Sequence, residues 1–399
     1  MTTSQPRPAT ILAAVDADPS ARDAAVLAEA LCGAGHAAPS SGDGSSGDAL
    51  APGGSGGDAL TPGGSGEDAP APGGSGGSGG DAPELVLAAV VVKPRVPLPL
   101  HGSDEERVRE QLDAALAEVR GACAPNARTL LLSDRSPAHA LREQIAREPV
   151  SAVVVGSSHR ARPGEAFAGR TVRQVLHGAP CAVALAARGI ADAASPAGEG
   201  ASGTAGAGFA LRRIVAGVDG SAEAAAALAV ASELARRTGA RLELVAIADD
   251  GLGMRPRRGP LAELAELTEW DDAVAARREH AQSVAERAAA TLSGALDADR
   301  GAADANAGAS DANTGSADAD AGAIATDVRV GDPAEELARA AAGADLLVLG
   351  SRQWGALDRV VIGSTAEELL RGAPCSLLLV PRPHAADAVS AADADATGD

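Results

Sequence analysis

The sequence predicts an α/β protein made of two tandem, open, doubly wound five-stranded parallel sheets. Three observations carry the expectation. Short, near-continuous apolar runs alternate with Ala-, Leu-, Glu- and Arg-rich stretches of helical length, the pattern of strands buried on both faces between helices. The same series occurs twice along the chain, and the low-complexity stretches fall between its members rather than inside them. Right-handed crossovers between parallel strands then lead to an open sheet covered on both sides.

Taken in order, the first half reads as strand TILAAV, helix SARDAAVLAEALC, strand LVLAAVVV, a helix around Glu106 to Val119, strand RTLLL, helix PAHALREQIA, strand AVVVG, helix TVRQVLH and strand CAVAL. The second half repeats it. RRIVAGVD ends in the turn Asp219-Gly220-Ser221, and Glu223 to Arg237 is an Ala- and Leu-rich helix. RLELVAIA is the next strand, followed by a long helix from about Asp271 to Leu296, strand TDVRV and helix PAEELARAAA. Pro333 sits where a helix tolerates proline, in its first turn. DLLVLG, STAEELLRG and SLLLVP close the series.

Four segments are expected to stay outside the folded parts: 34–84, 189–210, 297–323 and 384–399. The first contains a ten-residue Gly/Pro/Ser repeat from Gly47 to Gly76, a composition that cannot bury a face. The expected organisation is therefore a first domain over 1–188 with its insert at 34–84, a linker at 189–210, a second domain over 211–383 with its insert at 297–323, and a tail at 384–399. The domains are copies of one another. Residues from Val153 align with those from Leu347 without a gap, placing Gly156 on Gly350, Gly169 on Gly363, Thr171 on Thr365 and Cys181 on Cys375.

The chain has 399 residues and a formal net charge of −20. Nearly all of that charge lies in the four low-complexity segments, so it does not describe the folded surface. Its only aromatics are Phe167, Phe209, Trp270 and Trp354, too few for base-stacking platforms, and no nucleic-acid motif is present. No apolar run reaches the roughly 18–20 residues of a membrane span. The N-terminus lacks a charged n-region, and the four cysteines lack CxxC spacing, so no signal peptide, disulfide framework or zinc framework is expected and the cytoplasm is the expected location. Cys181 and Cys375 read as small core residues, and the seven histidines show no HxxxH or HExxH spacing, so no metal site is expected. No nucleophile–base pair or paired carboxylates stand out, and no catalytic residue is assigned.

Open parallel sheets bind ligands beyond the carboxyl ends of their strands. In the second half two loops suit that place. One is Asp219-Gly220-Ser221. The other starts at Gly350-Ser351-Arg352-Gln353 and, nine residues on, reaches Gly363-Ser364-Thr365 at a helix start, with Arg359 between. Glycine permits close backbone approach to an anion, and the serine and threonine hydroxyls and an arginine can add hydrogen bonds. Each loop also has an ordinary structural reading, as a turn and as a helix N-cap.

These residues resemble those of the universal stress protein (UspA-type) family, whose nucleotide-binding pattern is Gly, two residues, Gly, nine residues, Gly, then Ser or Thr. The chain is similar to a tandem two-domain member, over nearly all of both halves outside the inserts. The resemblance implies the adenine-nucleotide α-hydrolase-like fold and a second-half site for ATP or another adenine nucleotide. That site would be formed by Asp219 and Ile247 on adenosine and by Gly350, Arg352, Gly363, Ser364 and Thr365 on the phosphates, with Gln353 in place of the second glycine. The first half departs further. Its pattern is Gly156, His159, Gly169, Arg170, then Thr171, with Asp16 and Val90 at the adenosine positions, so its site is expected to be degenerate. The resemblance further implies an intramolecular pseudo-dimer, or a homodimer, through the fifth strands, here CAVALA against CSLLLV. No nucleic acid, membrane or particular protein client is implied. A stress-response regulatory protein is the expected function; a protein-interaction module without nucleotide and a weak nucleotide hydrolase are the alternatives.

Overall fold

The structure is a computed structural model and describes residues 9–33, 83–93, 102–177, 179–193, 209–250, 260–306, 324–351 and 363–381. All belong to one compact unit.

The first half runs β1 (Thr10–Val15), α1 (Ser20–Cys32), β2 (Glu84–Val92), α2 (Gly102–Cys123), β3 (Arg128–Asp134), α3 (Pro137–Arg147), β4 (Val150–Gly156), α4 (Arg170–Leu176), β5 (Ala182–Ala186) and α5 (Ile190–Ala193). The second half runs β6 (Arg213–Val218), α6 (Ala222–Thr238), β7 (Arg241–Ala248), α7 (Pro260–Asn306), β8 (Ile324–Val330), α8 (Pro333–Ala340), β9 (Leu346–Ser351), α9 (Ser364–Leu369) and β10 (Ser376–Pro381). Local chemistry sets the helix ends. Ser221 accepts the Ala224 N–H at 3.1 Å at the start of α6. Asp332 accepts the N–H groups of Ala334 and Glu335 ahead of α8, beside Pro333. Gly33 and Gly239 close α1 and α6 in the left-handed conformation, both at φ 70°.

The strand order is β3-β2-β1-β4-β5-β10-β9-β6-β7-β8. Within each half every pairing is parallel. The halves meet in one antiparallel pair, Leu185 opposite Leu377, Ala184 opposite Leu378 and Val183 opposite Leu379. Both strands are apolar on both faces, so either would be a hydrophobic edge if left alone. The result is a continuous ten-stranded sheet with a buried core on each face. One core is shared by α1, α2, α6 and α7, the other by α3, α4, α8 and α9. In each half the strand order reverses between the first and fourth strands, which opens a crevice at their carboxyl ends.

Several boundaries differ from the sequence expectation. Glu84, assigned to the 34–84 insert, is the first residue of β2, because its N–H donates to the Ala9 carbonyl beside the start of β1. Helix α7 starts at Pro260 and continues to Asn306, ten residues into the 297–323 insert. The Leu/Glu pattern before Trp270 and the alanines of DADRGAADAN are good helix formers. The rest of that insert, most of the first one and the tail at 384–399 lie outside the described residues.

The 189–210 linker is anchored at its start. Asp23 of α1, only 4% exposed, accepts the Gly189 and Ala191 N–H groups, each at 2.9 Å, and so holds α5 against α1. Burial raises the Asp23 carboxyl above its usual range despite these two donors. A carboxyl raised on folding favours the folded state when protonated, so its contribution is lost as pH climbs from about 4 through the raised value. The difference in Tm between the wild type and Asp23→Asn is therefore expected to shrink as pH rises from 4 to 7. A difference that stays constant or widens would contradict this.

Candidate functional site

At the switch point of the second half lies a cleft of about 270 Å³. Five connections build it. The β6–α6 turn brings Asp219 and Ser221, the end of β7 brings Val245 and Ile247, and the start of α8 brings Pro333 and Leu337. The end of β9 brings Leu349 and Gly350, and the start of α9 brings Gly363, Ser364 and Thr365. Six of the seven residues expected in this site therefore border one cleft; Arg352, with Gln353, Trp354 and Arg359, lies outside the described residues. Val245, Pro333, Leu337 and Leu349 were not among the expected residues, although the alternation of RLELVAIA and the proline-led start of PAEEL were available signals.

The first half carries the matching cleft, of about 240 Å³, bordered by Asp16, Val90, Gly156, His159, Gly169, Arg170 and Thr171. Among the described residues the side chains of His159 and Arg170 have no hydrogen-bond or ion-pair partner, and the cleft presents both to solvent. The Asp16 carboxyl is raised above its usual range, desolvation outweighing the Asp18 N–H that it accepts at 3.1 Å. Asp219 repeats the arrangement, accepting the Ser221 N–H at 2.9 Å.

The glycines of the pattern divide by role. A Cβ at Gly350 would lie inside van der Waals contact with the Glu223 backbone and 2.8 Å from the Ala224 nitrogen; one at Gly156 would meet the Ser20 backbone in the same way. Both glycines let the first helix of their half approach the fourth strand, a packing requirement independent of any ligand. Gly169 and Gly363 differ. Their φ values of −71° and −63° suit any residue. A Cβ at Gly169 would meet only Ser158, at 3.6 Å. Among the described residues neither α4 nor α9 has a side-chain cap, which leaves their first backbone N–H groups without an intrahelical or capping partner beside the cleft. Chemically, such backbone donors can bind an anion, the aspartate can accept hydrogen bonds, and the aliphatic wall can cover an apolar ring.

Two serines brace these loops. Ser157, after Gly156, donates to the Ala186 carbonyl at 2.6 Å, and Ser351, after Gly350, donates to the Val380 carbonyl at 3.3 Å. Each ties its fourth strand to its fifth. The segment between β4 and α4 is further pinned to the other half, Ala166 exchanging backbone hydrogen bonds with Ala373 and Ala168 donating to Leu370. Two larger clefts flank these on the helix side of the β1–α1 and β6–α6 turns: one of about 670 Å³ beside α1, α2 and α5, which shares Asp16, Asp18, Ser20 and His159 with the first-half cleft, and one of about 580 Å³ between α6 and α7. The thiols of Cys32, Cys181 and Cys375 are buried and pushed up to about 12, which keeps them from acting as thiolates near neutrality. Among the described residues, no helix is long and apolar enough to cross a membrane.

Two parallel α/β layers, each with a switch-point cleft lined by an aspartate, an aliphatic side chain and a glycine-led helix start, define a tandem protein of the doubly wound α/β class. The sequence model of the Universal stress protein family matches residues 82–186 and 210–381, well over half of the chain, and the chain belongs to that family. The matched residues leave out β1 and Asp16. A Thermus aquaticus protein described as "Universal stress protein in QAH/OAS sulfhydrylase 3'region" is 44% identical over 52 residues, 12% of this chain. The chain spans 38% of the length of that curated relative. Among solved structures, a universal stress protein from Archaeoglobus fulgidus DSM 4304 superposes with a TM-score of 0.50 at 13% identity, over 94% of this chain and 98% of that one, a likeness of fold. A universal stress protein family member from Burkholderia pseudomallei is 28% identical, over 43% of this chain and 96% of its own, with a TM-score of 0.25.

Proposed function

We propose that this protein is a cytosolic stress-response regulator that binds an adenine nucleotide, ATP foremost, in the cleft of its second half, and that it works by binding rather than by catalysis. One observation carries the reading: Asp219, Ile247, Gly350, Gly363, Ser364 and Thr365, scattered over the sequence, border a single cleft at the strand ends. There Ile247, Val245 and Leu349 would pack on the base, and Asp219 would accept from a ribose hydroxyl or the adenine amino group. The amides and hydroxyls at Ser364 and Thr365 would hold phosphate oxygens, while Gly363 leaves room for their approach. The two halves act as an intramolecular pseudo-dimer through β5 and β10.

In the first half, Arg170 stands where the second half has Ser364, and His159 stands at a glycine position of the pattern. Both border the cleft, which favours a second reading for that half, a scaffold for protein contacts without bound nucleotide. The test is the nucleotide content of the purified protein by native mass spectrometry, followed by calorimetric titration with ATP. Wild-type protein is expected to bind a single nucleotide, and Ser364→Arg, which copies the first half, to weaken binding at least about tenfold. Absence of ATP and AMP binding with Gly363 and Ser364 intact overturns the reading.

A further inference from the structure

Three metal-ligating side chains of different types meet where β3 leaves the sheet. Asp134 is the last residue of β3, and His139 and Glu143 stand one turn apart on α3. His139 Nδ1 lies 2.8 Å from Asp134 Oδ2, while Asp134 Oδ1 accepts the Ser136 N–H at 3.0 Å, which sets the plane of the carboxylate. Arg147 donates to Glu143 Oε1 at 2.7 Å and leaves Oε2 without a partner among the described residues. One ligand atom from each of the three lies within 4.8 Å of the other two. Small side-chain rotations close that triangle onto an ion with bonds of about 2.0–2.2 Å. The His139 and Glu143 side chains are 61% and 48% exposed, so a hydrated ion can reach them and keep water in its remaining positions.

The second half does not repeat this arrangement. With Pro333 set on Pro137, Leu337 falls on Leu141, and both pairs line their clefts. The ligating positions, however, become Val330, Glu335 and Arg339, and Arg339 simply pairs with Glu335 at 2.8 Å. The halves thus keep the residues that shape the cleft and differ in the three that can ligate. A difference of two positions on an α-helix is about 200°, so His139 and Glu143 face away from the cleft that Pro137 and Leu141 line.

We propose that Asp134, His139 and Glu143 form a binding site for a divalent transition-metal ion of the zinc type. One imidazole nitrogen and two carboxylate oxygens suit such a borderline cation better than Mg²⁺, which favours near-octahedral oxygen ligands and retains its water. The ion takes the place of the proton between His139 and Asp134 and ties the end of β3 to α3.

Equilibrium dialysis of the tag-free full chain against zinc tests the site, with Mg²⁺ as the contrasting ion and circular dichroism as the check on folding. Wild-type protein is expected to take up zinc in preference to Mg²⁺. His139→Ala and Asp134→Asn should each weaken uptake at least about tenfold, since even outer-shell losses cost 10–100-fold. Arg147→Ala, which frees Glu143, is expected to tighten zinc by up to about fivefold, the worth of an exposed ion pair. A purely structural His139–Asp134 contact would not produce that gain. No uptake with zinc in large excess, or equal uptake by wild type and His139→Ala, overturns the proposal. ATP titration of the same variants is expected to match wild type, so failure of the metal site and failure of the nucleotide reading are separately visible.

Discussion

Leu378→Asp is expected to cost at least about 4 kcal/mol and to destabilise both halves at once. Leu378 is 2% exposed, lies on the core face shared with α1 and α6, and stands opposite Ala184 in the strand pairing that joins the two halves of the sheet. The change removes a buried leucine from one core and buries a carboxylate with no cation opposite it. A domain is stable by about 5–15 kcal/mol, so a loss of this size is a large share of the total. Because the sheet is continuous, wild-type protein is expected to unfold in a single transition. The variant should unfold at much lower denaturant, or split into two transitions as the second half loses the strand that joins it to the first. Urea denaturation followed by circular dichroism is the measurement. A variant that keeps the wild-type midpoint and single transition would show that the β5–β10 joint contributes little.

Gly350→Ala is expected to cost about 3 kcal/mol, the upper part of the usual range for overpacking, because its Cβ would strike backbone rather than a movable side chain. Relief would require α6 to shift bodily away from β9, and α6 also supplies Leu228, Ala231 and Leu234 to the core. Gly156→Ala should behave alike, its Cβ falling 2.9 Å from the Ser20 carbonyl carbon. Gly169→Ala provides the contrast and is expected to change stability by no more than about 0.5 kcal/mol, since its φ is ordinary and its nearest neighbour is at 3.6 Å. Equal costs at Gly350 and Gly169 would refute the division of the glycines into packing and open positions.

Part of the candidate cleft was legible because strand ends are marked locally, while Ile247 was carried only by the family resemblance and Val245, Pro333, Leu337 and Leu349 were missed. Asp219 follows RRIVAGV directly, and Gly363-Ser364 opens a helix. What their spacing could not reveal was the second reason for Gly350 and Gly156. A close approach of helix to strand is a contact between residues more than a hundred positions apart, and a glycine that serves it looks the same in sequence as one that serves a phosphate. Asp23 was missed on the same ground, since its partners, Gly189 and Ala191, lie far along the chain in a segment whose composition suggested only a linker. His139 and Glu143 have a spacing that places both on one helix face, but Asp134 joins them only because the β3–α3 turn folds back.

The sequence by itself determined the α/β alternation, the duplication and most of the residues that gather at the strand ends. These are properties of short segments, where apolar periodicity, proline, glycine and capping residues act over a few positions. Tertiary structure decided the register in which the two five-stranded layers join into one sheet, a pairing the sequence carried only through its family resemblance, that α7 extends from Pro260 to Asn306, and that a buried carboxylate holds the start of the linker. An apolar strand states that both its faces must be covered, but not which strand will pair with its edge. That choice belongs to the free energy of the whole packed core, to which β5 and β10 contribute on both faces.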